Sequence, residues 1–290
     1  MMTHTSAVLA TILLASTAAA QDPSPLERGR AAYRERHSDE AIDWFEKAVA
    51  AQPDSLQPHL WLGRAYVQAL THANFLKQPL LARRARSEFD RAVEIDPRNV
   101  DVREDRATYY MYAPSIAGGG IDKARAEAEV ARGLNAYRGG LLRAQIELHD
   151  NQTLAAEHEC VALNKAYPDS AAPFNTLVGL YQSARRFADA FDAVDLRART
   201  NQGDDWARYQ LGKTAALSGQ RLEDGEAAMR AYLQAGRFVP TASEAHAHYR
   251  LGMILEQRHD AAGARAEYET ATRLDPSLAD AKEALRRVTR

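Results

Sequence analysis

The segment EAIDWFEKAVAAQPD, Glu40 to Asp54, would be one amphipathic helix among many if its pattern did not return twice. The stretches Arg84 to Arg98 and Gly263 to Ser277 keep its spacing. A small residue (Ala41, Ala85, Ala264) is followed by an aromatic four positions later (Phe45, Phe89, Tyr268), an alanine after three more (Ala48, Ala92, Ala271) and a proline after a further five (Pro53, Pro97, Pro276). Steps of four and three put the first three of these on one helical face, and the proline stops the helix because it lacks the N–H that another turn needs. A helix with a single apolar stripe cannot bury it alone. Each such helix therefore needs a partner, and a chain made of recurring pairs stacks them on one another.

The partners lie just upstream. In HLWLGRAYVQ, Leu62-Gly63 precedes Tyr66 by three residues, and in HYRLGMILEQ, Leu251-Gly252 precedes Leu255 by three. The glycines mark places where two helices approach closely, and Tyr66 and Leu255 fill the space one turn on. Taken with the second-helix pattern, these residues resemble the tetratricopeptide repeat, a helix–turn–helix unit of about 34 residues. The resemblance implies an all-α fold: a right-handed superhelical solenoid of about seven repeat-like units with a polar C-terminal capping helix. The units are expected at roughly 22–55, 56–99, 100–136, 137–170, 171–204, 205–240 and 245–278, with the cap at 279–290. The fourth is weak (Ala144, Ala156, Cys160, Pro168), the sixth keeps Leu211-Gly212 but loses the alanine pattern, and the third has no terminating proline.

Composition supports an all-α chain, since alanine and arginine are abundant and β-branched residues sparse. A hydrophobic content of 46% excludes a disordered chain. A net charge of -2 with both signs interspersed offers no basic stripe, so no nucleic-acid partner is expected. Residues 1–20 have another character: an apolar stretch from Ala7 to Ala15, then small residues ending Ala18-Ala19-Ala20 before Gln21. This resembles a secretory signal cut after Ala20, which makes 21–290 the mature solenoid, exported, periplasmic in a Gram-negative source, and not inserted in the membrane. Cys160 is the single cysteine, so no internal disulfide can form.

No motif carries catalytic chemistry. Gly118-Gly119-Gly120 offers backbone N–H groups to an anion, but reads more simply as a turn with Asp122 capping the next helix. His246 and His248 are two apart and point to different helical faces; His149 and His158 could approach only across a hairpin. Cys160 stands where Phe45 and Phe89 stand in their units, the place of a core hydrophobe. No enzyme, no cofactor and no metal site is expected.

Insertions mark units two (THANFLKQPLLARR) and three (APSIAGGGID), both between the two helices of their unit. The resemblance places the usual binding surface on the concave face lined by first helices. Counting from the small residue of each first helix, that face is expected to hold Arg30, Arg34, Arg64, Tyr112, Gln145, Asn175, Tyr209, Lys213 and Tyr249, with Leu60, Met111, Gln182 and Ala216 beside them. Amides and tyrosines can bond a peptide backbone there, and cations can attract its carboxylates. The expected function is a protein-interaction scaffold in the cell envelope. The competing expectation is a small-ligand binder or enzyme with its pocket between the two inserted loops.

Overall fold

A computed structural model describes residues 22–239 and 241–289. The expected cleavage point after Ala20 lies outside the described residues. Among those described, the only non-helical pairing is an isolated bridge between Val239 and Ala242; the rest of the regular structure is helix. The chain divides into two units between Ile95 and Asp96.

The first unit holds α1 (Pro25–Arg34), α2 (Ser38–Ala51), α3 (Leu56–Leu70) and α4 (Gln78–Ile95), each packed on the next. Local chemistry sets where helices start: Ser24 accepts from the Glu27 N–H while the Glu27 carboxylate accepts from the Ser24 N–H, and Pro25 occupies the first turn. Gly63 is the close approach that the sequence suggests. A Cβ there would lie 2.7 Å from Phe89 Cε1, so the glycine lets α4 press its aromatic against the α3 backbone. The insertion of unit two does not all become loop: only residues 71–77 separate the helices, and the rest lengthens α4 to 18 residues.

Ala92 sits on α4 with no solvent exposure. Ala92→Leu is expected to lower the unfolding free energy by about 1–3 kcal/mol, because a filled contact accepts the added methylenes only by forcing the helices apart. Guanidinium denaturation checks this; an unchanged midpoint would remove Ala92 from the packed seam.

The second unit holds five further pairs: α5 (Val100–Tyr112) with α6 (Ile121–Leu134), α7 (Ala136–His149) with α8 (Thr153–Ala166), α9 (Ala171–Ser183) with α10 (Phe187–Thr200), α11 (Asp205–Ser218) with α12 (Leu222–Ala235), and α13 (Glu244–Gln257) with α14 (Ala261–Leu274). A last helix, α15 (Ala279–Val288), covers α14. The missing proline after α6 is replaced by Asn135, which leaves the helical region at φ -149° and at once caps α7 by accepting from the Arg138 N–H at 3.0 Å.

The degenerate pairs keep the seam by trading volume between two of its positions. In the strong pairs the fifth-position aromatic is followed by alanine: Phe45 and Ala48, Phe89 and Ala92, Tyr268 and Ala271, all buried. Where the aromatic shrinks, the later residue grows: Cys160 with Leu163, Val194 with Arg197, Met229 with Tyr232. Gly225 takes the place of the leading alanine in α12. Close packing tolerates such exchange provided that the total volume is conserved. The α5–α7 region instead fills its seam with ions. Glu127 of α6 accepts from Arg103 at 3.1 Å and Arg106 at 2.5 Å. Glu147 of α7, 2% exposed, accepts from Arg125 at 3.0 and 2.8 Å and also from Arg143.

Candidate first-helix binding face

In the first unit, α1 and α3 bring Arg30 and Arg64 over the Trp61 ring, their guanidinium carbons 4.9 and 4.8 Å from its centre. Gln57 Oε1 locks the arrangement by accepting from Arg30 Nη2 at 2.7 Å and from Trp61 Nε1 at 3.2 Å. Tyr33 meets Trp61 edge-on at 5.4 Å. Arg34 is exposed at the end of α1. These side chains form a rigid cationic and aromatic platform, since stacking on the indole holds guanidinium groups that would otherwise be mobile.

In the second unit, Tyr112 is 67% exposed with its ring edge-on to His149 at 4.9 Å, and Gln145 is exposed nearby on the same helix as His149. The denser arrangement spans α9, α11 and α13. Thr214 Oγ1 donates to the Gln210 backbone carbonyl at 2.7 Å, so its lone pairs face Gln182 Nε2, which donates to it at 2.9 Å. The same Nε2 donates to Gln210 Oε1 at 3.1 Å, which turns the Gln210 amide nitrogen to Asn175 Oδ1 at 2.9 Å. The ladder is thereby oriented end to end. Asn175 has its oxygen engaged and its NH2 without a partner among the described residues.

Lys213 lies one turn from Gln210, half-buried and without a hydrogen bond or ion pair among the described residues. Burial, reinforced by the charge of Arg250, lowers its pKa from the usual lysine value. Tyr249 is half-buried, its ring 6.0 Å from Tyr268 and 4.9 Å from the Arg250 guanidinium carbon.

Tyr209 departs from the expected surface. It is 4% exposed, packed with Met229, Tyr232, Ala247 and Leu251, its ring 5.3 Å from that of Tyr232. The bulky Tyr232 of α12 and the next pair close over it. Leu60, Met111, Gln182 and Ala216 are likewise buried. Conversely, the half-buried Arg250 belongs to the face and the buried Gln210 underlies it, although the counting from the small residue passed over both. Both stand two residues before their helix glycine, as Trp61 does, and that shared offset is the signal that identifies them.

The glycine run forms a turn. Gly118 has φ 86°, a conformation that glycine adopts at little cost, and a Cβ on Gly119 would collide with the Ala113 carbonyl at 1.7 Å. Asp122 does not cap α6: Gly120 holds the cap position, while Asp122 pairs with Arg125 at 3.2 Å. Cys160 is fully buried, its thiol pushed up to about 11 chiefly by burial, then by the charge of Glu159. His248 is bound to Glu267 at 2.5 Å. The insertion of the first unit leaves Phe75, Leu76 and Leu80 at 78%, 73% and 55% exposure. No helix among the described residues is long and apolar enough to cross a membrane.

The family described as Tetratricopeptide repeat matches residues 245–278, the α13–α14 pair. No curated protein matches the chain. Among solved structures it is similar to a tetratricopeptide repeat protein from Parabacteroides merdae, with TM-score 0.52 and 14% identity over 92% of this chain and 98% of that one. Yeast Tom70 gives TM-score 0.60 and 12% identity over 94% of this chain and 58% of that one. Pseudomonas aeruginosa pilF gives TM-score 0.51 and 15% identity over 79% and 95%. At such identities the likeness is one of fold.

Proposed function

Because this chain is a tetratricopeptide-repeat protein, we propose that it acts as a non-enzymatic scaffold or adaptor, holding an extended segment of a partner protein against its first helices. The observation that carries this reading is the oriented amide ladder of Gln182, Gln210 and Asn175. It crosses from α9 to α11 and leaves the Asn175 NH2 and the Lys213 ammonium as unpartnered donors on one face. Donors fixed by buried neighbours bind a backbone carbonyl without first losing side-chain freedom. Tyr249 and the aliphatic stem of Lys213 supply the apolar contact beside them. Residues 1–20 support a place of work in the cell envelope, reached by export and cleavage after Ala20.

The test compares peptide capture by the wild type, by Asn175→Ala combined with Lys213→Ala, and by Leu76→Ser combined with Leu80→Ser in the α3–α4 insertion. Tyr209 is left intact, since removing a buried aromatic would cost about 3–5 kcal/mol and confound binding with folding. The ladder variant is expected to melt within a few degrees of wild type and to lose about tenfold or more in affinity, as interface anchors do. Undiminished capture by that variant, with loss in the insertion variant, would move the binding surface to the insertion.

A further inference from the structure

Acidic and basic residues are interspersed along most of the chain, but one stretch departs from this. The sequence holds 39 acidic residues in 290, yet none lies between Asp54 and Glu88. That interval carries Arg64, Lys77, Arg83, Arg84 and Arg86, and it contains the whole α3–α4 insertion. Arg84 and Arg86 reach Glu46 and Asp90 at 3.7 and 3.4 Å. Lys77 and Arg83 are exposed with no carboxylate partner among the described residues.

The same insertion carries an apolar tip. Its turn is fastened from inside: the Asn74 carbonyl accepts from the Lys77 and Gln78 N–H groups at 3.0 and 3.2 Å, Asn74 Oδ1 accepts from the Lys77 N–H at 3.1 Å, and Gln78 Nε2 donates to the Ala73 carbonyl at 3.1 Å. Phe75 and Leu76 stand exposed on this closed turn. Leu80 follows, exposed on the first turn of α4, with Arg83 and Arg84 three and four positions on along the same side of the helix. Single exposed apolar residues are ordinary. Three so close together on a fixed turn form a patch of the kind that meets a partner.

The order of these groups selects the partner. Apolar side chains are outermost and cations with long stems lie behind them, which matches an anionic lipid surface entered from water, where the phosphates lie above the acyl chains. The stems of Lys77 and Arg83 can lie along the tip while their charged ends stay at the phosphates. Nucleic acid offers phosphates without an apolar layer beneath them, and a protein would need an apolar hollow rimmed with acid and shaped to this turn. No helix among the described residues is long and apolar enough to cross a membrane, so the contact is one of surface.

We propose that the α3–α4 insertion docks on a bilayer containing anionic phospholipid: Phe75, Leu76 and Leu80 enter the boundary between headgroups and acyl chains, and Lys77, Arg83 and Arg84 bind the phosphates. The inference goes beyond the scaffold reading and stands independently of it, since the tip shares no residue with the amide ladder.

Vesicle flotation tests it with residues 21–290, which hold every described helix and leave out the apolar segment 7–15. Vesicles of about three parts phosphatidylcholine to one of phosphatidylglycerol are compared with phosphatidylcholine alone. The expected result is saturable binding to the anionic vesicles, about tenfold or more weaker on the neutral ones and weakened by salt. Phe75→Ser with Leu76→Ser, and separately Lys77→Gln with Arg83→Gln, should each lower affinity by about tenfold or more while melting within a few degrees of wild type. Lys282→Gln with Arg286→Gln, which removes the same charge from α15, should leave affinity unchanged. The indole introduced by Phe75→Trp should emit further to the blue on binding and be quenched by brominated lipid, as a tip seated in the boundary requires. Undiminished binding by either tip variant, or an equal loss in the α15 variant, would overturn the proposal, as would a wild type that ignores both vesicles. In that last case, loss of peptide capture in the apolar tip variant would assign the patch to a protein, and a dimer that the same variant makes monomeric would assign it to a second copy of the chain.

Discussion

Glu147→Gln is expected to lower the unfolding free energy by about 3 kcal/mol near neutral pH, the cost of stripping the anion from a buried ionic cluster while its cations stay. Glu147 is 2% exposed, and its carboxylate binds both Arg125 and Arg143. Glutamine keeps the shape but leaves the Arg125 guanidinium with only Asp122 and Asp150, at 3.2 and 2.6 Å, to balance it. The pH dependence follows from the direction of the shift. Hydrogen bonding to Arg125, opposed by burial and reinforced by Arg143, holds the Glu147 pKa below its ordinary value of 4.5. A carboxyl whose folded pKa is depressed contributes stability that is complete above the unfolded value and is lost as pH falls through the folded one. The gap between wild type and variant, measured by chemical denaturation, should be full at neutral pH and narrow progressively below about 4.5. A gap constant down to the acid limit would mean that Glu147 is not ionised in the folded chain.

Tyr232→Ala is expected to cost about 3–5 kcal/mol, and adding Met229→Phe should recover about 1 kcal/mol or more of it. Tyr232 is 2% exposed; its ring packs on Tyr209 and Phe238, and its hydroxyl donates to the Ala242 carbonyl at 2.6 Å. If α12 keeps its seam by moving volume from the fifth position to the eighth, then phenylalanine with alanine restores the arrangement of the strong pairs, where Phe45 with Ala48 packs against Gly29. Gly212 offers the matching hollow, since a Cβ there would meet Met229 Cε at 2.4 Å. The double variant melting no higher than Tyr232→Ala would show that the two positions do not share one space.

Both expectations concern parts of the molecule that reading the chain residue by residue did not single out. Glu127 and Glu147 look in sequence like solvated helix charges, because an acidic residue among arginines usually is one. Only the packing of α6 between α5 and α7 shows that the alanines of that pair leave room that Arg103, Arg106 and Arg125 fill with their partners. The volume exchange at Cys160 with Leu163 and Met229 with Tyr232 was hidden for a related reason: each position alone looks like a lost motif residue, and only their shared hollow makes the pair equivalent to an aromatic with alanine.

What the sequence determined by itself is what depends on neighbours three and four residues away. The helical period, the small, aromatic and alanine seam, the glycines at close approaches and the residues that end and cap helices were all legible there, because their causes are local and recur from unit to unit. What the tertiary structure decided is which first-helix side chains stay uncovered. Tyr209 and Tyr249 occupy the same place relative to Gly212 and Gly252, yet one is buried under Tyr232 and the following pair while the other is half-exposed beside Tyr268. Burial at one position depends on the volume carried by the next helices, and the partners of Lys213 and Arg250 depend on which carboxylates those helices bring within reach. Neither follows from a periodic pattern, since side chains far apart in sequence compete for the same space and the same charge.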